Sequence, residues 1–110
     1  MMNTNNDVIK EFNKKHKQIL NQLKTDEGFD EFTSDDIVNQ TAKITSNLRG
    51  NYESVFFFID LGGPSTFINT EEGIIESRFG GDVLTTLLSF SDIERINSYF
   101  EDVWDYYRRQ

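Results

Sequence analysis

Over residues 7–24 the apolar positions fall on one stripe. Val8, Phe12, Ile19 and Leu23 recur at helical spacing, with Ile9 and Leu20 beside them. This spacing predicts an amphipathic helix. Lys10, Lys14, Lys15 and Lys17 take the other face, His16 falls on or beside the stripe, and Asp7 places an acid near the start, where the helix dipole favours one. Residues 25–36 carry six acids and no base, interrupted by Phe29 and Phe32. Such density reads as a solvated loop or a docking surface. A second helix is expected over residues 35–48, capped by Thr33 or Ser34 and closed by Gly50, with Ile37, Ile44 and Leu48 as a thin stripe and Val38 and Thr41 nearby.

From Tyr52 the pattern changes. Residues 54–61 are aromatic and β-branched, as in a strand buried on both faces, and Gly62-Gly63-Pro64 ends the run. Ser65–Asn69 and residues 73–79 read as two strands of a hairpin joined through Thr70-Glu71-Glu72-Gly73. Gly80-Gly81 marks another turn. Residues 82–90 suit a strand or a short helix, and the two threonines favour the strand. Ser91-Asp92-Ile93-Glu94 has the form of a capping box opening a helix over residues 91–107. Ile93, Ile96, Phe100, Val103 and Tyr107 supply its stripe, with Trp104 alongside, and Arg108 and Arg109 complement its C-terminal end. The expected architecture is a single α+β domain over residues 1–110. It has two N-terminal helices, a three- to four-stranded antiparallel meander, and a C-terminal helix packed on the sheet that contains Phe56 and Phe58.

A chain of 110 residues with ten phenylalanines is long enough for one real core. There is no cysteine, which excludes disulfides, thiolate metal sites and a cysteine nucleophile. The first ten residues are polar and Asn-rich, unlike a signal peptide, and no apolar run approaches the roughly 20 residues of a membrane span. A cytoplasmic protein is expected.

Charge changes the picture most. Nineteen acids against eleven bases leave −8, unevenly placed. Residues 1–24 carry five lysines against Asp7 and Glu11, a balance of +3, whereas residues 25–110 carry six bases against seventeen acids, a balance of −11. A body so negative repels nucleic-acid phosphates and anionic membrane and is steered toward basic surfaces.

Candidate chemistry is sparse. His16 is the only histidine, so one chain holds neither a histidine-paired triad nor a two-histidine metal site. Asp60, Glu71, Glu72, Glu76 and Asp82 are available for carboxylate-pair catalysis, which needs a cleft and separated pKa values. The glycine pairs match no phosphate-binding fingerprint, and the acidic run lacks calcium-loop spacing. No catalysis, cofactor or metal is expected. The candidate docking residues are Asp26, Glu27, Asp30, Glu31, Asp35 and Asp36, with Phe29 or Phe32 as apolar anchors. A second set, Tyr99, Asp102, Asp105 and Tyr106, lies beside Glu101 on the last helix, where tyrosines next to carboxylates suit an interface.

The segment from Phe67 through Asn69-Thr70-Glu71-Glu72-Gly73-Ile74-Ile75-Glu76-Ser77 and Asp92-Ile93-Glu94-Arg95-Ile96-Asn97 to Trp104 resembles, in style, the small bacterial immunity proteins of contact-dependent inhibition. The resemblance implies a cognate toxin domain as partner, often a nuclease whose basic cleft an acidic surface blocks. It supplies no functional residues. Three other readings stay open: a phage-type DNA mimic, a structural or regulatory subunit using the lysine face of the first helix, and an enzyme.

Overall fold

The computed structural model describes residues 4–34 and 36–109. Three helices lead, α1 (Thr4–Leu23), α2 (Asp26–Thr33) and α3 (Asp36–Thr41). Five strands follow, β1 (Lys43–Ser46), β2 (Tyr52–Asp60), β3 (Ser65–Asn69), β4 (Ile74–Phe79) and β5 (Asp82–Leu87), and α4 (Phe90–Arg108) closes the order. The strands form one antiparallel sheet in sequence order, β1 to β5. The α+β meander with a C-terminal helix is therefore as the sequence implied, with one more helix and one or two more strands.

The helices cover one face. Val55, Phe57 and Ile59 of β2, Ile68 of β3 and Ile75 of β4 point into it and meet Ile19 and Leu23 of α1, Phe29 and Phe32 of α2, and Ile96 and Phe100 of α4. These residues form one contiguous core, the α1 and α4 members lying at the three- and four-residue spacing that a helix needs to bury a single stripe. The uncovered face carries Phe56 and Phe58 of β2 and Phe67 of β3, whose rings contact one another at 4.8–5.9 Å. Phe56 and Phe58 are only half-buried. The expectation of a strand buried on both faces is thus corrected, whereas α4 does pack on the sheet that contains Phe56 and Phe58, though not through those two rings. Alternation along β2 turns Phe57 inward instead, 5.2 Å from the Phe100 ring.

Other expectations are also corrected. No long helix spans residues 35–48: α3 ends at Thr41, and Lys43–Ser46 pairs with β2 as an edge strand. Gly50 closes no helix but serves the β1–β2 turn with φ of 83°, a conformation side chains resist. Leu48 is fully exposed. Ser89, not Ser91, caps α4, its hydroxyl accepting from the Asp92 N–H at 3.1 Å. Farther along, Val103 and Trp104 are half-buried and Tyr107 is exposed, so the apolar stripe stops contributing to the core after Phe100. Trp104 instead donates its indole N–H to the Gly50 carbonyl at 2.8 Å, tying α4 to the β1–β2 turn.

His16 belongs to the core, 1% exposed. Its Nδ1 lies 2.6 Å from Thr86 Oγ1 and its Nε2 2.8 Å from Ser77 Oγ, which in turn lies 2.7 Å from Thr66 Oγ1. A neutral imidazole offers one donor and one acceptor, and hydroxyls rotate to complete the chain. Burial holds the His16 pKa below its ordinary 6.5. The folded state therefore binds this proton less readily than the unfolded chain. The contribution is complete above pH 6.5 and erodes as pH falls below it toward the depressed folded value, by up to about 1.4 kcal/mol per pH unit. Urea unfolding at pH 7.5 and 5.5 is expected to show this loss in the wild type. His16→Gln should lack that increment, and equal pH dependence in both proteins would disprove the assignment.

Candidate functional site

The acidic run is a helix rather than a loop. Thr25 caps α2, its Oγ1 accepting from the Gly28 N–H at 3.0 Å, and Asp26 and Glu27 occupy the first turn, where the dipole favours negative charge. Phe29 and Phe32, one turn apart, fix which side faces inward; both are buried, and their rings lie 6.2 Å apart. They are core residues and not the exposed anchors expected from the sequence. Burying them leaves Asp26, Glu27, Asp30 and Glu31 exposed.

On α4 the burial of Ile96 and Phe100 sets Glu94, Glu101 and Asp102 outward. Tyr99 stands at the flank, half-buried, edge-on to Phe29 at 5.9 Å and to Phe100 at 5.0 Å. Its hydroxyl donates to Asn39 Oδ1 of α3 at 3.1 Å. Arg95 joins the two helices: Nη1 meets Asp26 Oδ1 at 2.8 Å and the guanidinium lies 5.4 Å from the Phe29 ring centre. The Asp26 side chain is 92% exposed, so this pair contributes little stability.

Two depressions flank this part of α4. Lys24, Glu94, Arg95, Ser98, Tyr99 and Asp102 line the first, between α2 and α4. Asn39, Ile44, Trp104, Tyr106 and Tyr107 line the second, again with Tyr99 and Asp102. Tyr99 and Asp102 thus form a ridge common to both. Tyr106 is 63% exposed, its ring stacked edge-on against Tyr107 at 5.7 Å.

The structure therefore brings Asp26, Tyr99, Asp102 and Tyr106 to one side. Glu31 sits instead on the α1 flank of α2, beside Lys15 and Gln22. Asp105 is half-buried beside Arg108 and Arg109. Asp35 lies outside the described residues, and Asp36 opens α3 with its side chain likewise outside them. Sequence reasoning missed Arg95, Asn39 and Glu94. Arg95 carried a signal, being the only base between Arg78 and Arg108 in an acidic stretch.

The carboxylates considered for catalysis are dispersed. Asp60 pairs with Lys15 at 3.3 Å near Asp7 and Glu11 of α1. Glu76 lies on the uncovered sheet face, held by Arg78 Nε at 2.5 Å and the Thr85 hydroxyl at 2.8 Å. Glu71 and Glu72 sit in the β3–β4 turn, their N–H groups donating to Asn69 Oδ1. Among the described residues no three His, Cys, Asp or Glu side chains gather to hold a metal ion, and no helix is long and apolar enough to cross a membrane.

No family model, curated protein or solved structure matches the chain.

Proposed function

We propose that this chain is a non-catalytic binding protein of the immunity type, neutralising a cognate bacterial toxin by docking the α2–α4 face on a basic surface. One observation carries the reading: α2 and α4, both acidic and far apart in sequence, line the same depression beside the Tyr99–Asp102 ridge, where Phe29 meets Tyr99 edge-on and Arg95 reaches Asp26 and Phe29. Exposed carboxylates at the rim and tyrosines at the centre divide the work of recognition. Carboxylates at the rim raise the association rate through long-range attraction, whereas an aromatic ring desolvated at the centre slows dissociation. A nuclease toxin fits this surface by chemistry, since its cleft must be basic to hold phosphate.

The test begins with a pull-down using the tagged chain, followed by stopped-flow association with the captured partner across a salt series. Glu94→Lys with Asp102→Lys is expected to slow association about tenfold and flatten its salt dependence. Tyr106→Ala should leave stability unchanged, because the ring is mostly exposed, yet shorten the complex lifetime about tenfold. Association that ignores salt and both variants would remove this face from consideration. Loss of toxin inhibition by the charge-reversed variant, with folding intact, is the expected functional counterpart.

A further inference from the structure

The two edges of the sheet are built differently. β1 is four residues long, carries Lys43 and is bulged between Thr45 and Ser46, all devices that discourage pairing with another chain. β5 is six residues long, has no lysine and no bulge, and carries a single charge, Asp82, at its first position. It pairs with β4 in unbroken register over six residues and turns Val83 and Leu87 outward, 51% and 77% exposed. Its phase is set by the Leu88 N–H, which donates to the Gly73 carbonyl at 2.8 Å. Continuing that alternation along the ladder points the peptide groups of Thr86 and Leu84 toward β4 and those of Val83, Thr85 and Leu87 away from the sheet.

We propose that this edge pairs with β5 of a second copy of the chain, antiparallel about a two-fold axis through Thr85, to give a continuous ten-stranded sheet. The strand is self-complementary in that register. Thr85 faces Thr85, Val83 faces Leu87 of the second copy, and each pair exchanges both N–H···O=C bonds. The Val83–Leu87 contacts cover the apolar groups that each copy leaves exposed. Asp82 is the only charge between residues 82 and 88, and it falls opposite Leu88, at the far end from the other Asp82. The helical layer fits as well. Lys15 turns one flank of α1 toward Asp60 of β2, so the opposite flank, with half-buried Ile9 and Leu20 and the uncharged Asn13, faces past β5. The lysines at 10, 14 and 17 lie farther round, toward solvent. The second copy's α1 therefore meets an apolar flank and not a lysine row. This surface is independent of the α2–α4 face.

Sedimentation equilibrium of the full chain, with single-cysteine variants, tests the proposal. The wild type is expected to dimerise reversibly, and more tightly as salt rises, because each copy carries −8. That sign is opposite to the salt dependence of docking on a basic partner. The chain has no cysteine of its own, so Thr85→Cys should give a disulfide-linked dimer on mild oxidation, its Cα atoms meeting at the spacing of a hydrogen-bonded pair. Val83→Cys should not, since each copy of residue 83 faces residue 87. Val83→Lys with Leu87→Lys should weaken dimerisation at least tenfold, and Val83→Lys with Leu87→Glu should recover it, all with unchanged circular dichroism. A monomer at every concentration to about 1 mM overturns the proposal. Equal cross-linking of Thr85→Cys and Val83→Cys overturns it too.

Discussion

Replacing Phe100 by alanine is expected to cost about 3–5 kcal/mol in urea unfolding. The ring is 2% exposed and lies 5.2 Å from Phe57 and 5.0 Å from Tyr99, so truncation removes the contact that seats α4 on the sheet and leaves a cavity that rigid β2 cannot collapse. Small domains are stable by roughly 5–15 kcal/mol, so the variant should sit near the edge of folding. Phe56→Ala, next to Phe57 in sequence but turned to the half-buried outer face, should lose clearly less. A Phe100→Ala loss below about 1 kcal/mol would mean that α4 is not seated on β2.

The second large effect runs against helix propensity. Alanine is favoured over glycine inside a helix by about 1 kcal/mol, so Gly28→Ala in α2 ought to stabilise. The structure gives the opposite sign. A Cβ at Gly28 would lie 2.6 Å from the Gln22 carbonyl oxygen and 2.9 Å from Gln22 Cα, both backbone atoms of α1. Neither can swing aside as a side chain would, and α2 must move off α1, shifting Phe29 and Phe32 with it. The net loss expected is about 1–3 kcal/mol. Chemical denaturation of the two proteins settles the sign, and a stabilised variant would show that the two helices are not in this close approach.

Elements whose period could be read from many residues were legible in the sequence. α1 and α4 each repeat an apolar stripe over several turns, and Ser65–Asn69 was bounded by turn residues on both sides. β1 was not legible because an edge strand of four residues needs only Ile44 on its inner face, and Ile44 also stands seven residues after Ile37, a helical spacing. α2 was hidden by its acids: two phenylalanines suffice to bury a helix of eight residues, and the rest of its surface looks like solvated loop. The run Phe56-Phe57-Phe58 conceals its alternation, since period two cannot be seen where every position is apolar. At the candidate site the exposure of the acids followed from their charge. Their grouping did not, because it depends on how the core seats α2 and α4, which brings Arg95 to Asp26 across 69 positions of sequence.

In the meander every strand pairs with its neighbour in sequence, but the partners of His16 lie 61 and 70 residues downstream. At ribosomal speeds of roughly 5–20 residues per second, α1 is synthesised about 3–14 s before its hydroxyl partners on β4 and β5. During that interval its apolar stripe has α2 to pack against but not the sheet, and a 20-residue helix so placed is marginal in water. The hairpins can zip together as they emerge from the exit tunnel, while His16 waits for β4 and β5 to supply its hydroxyl partners.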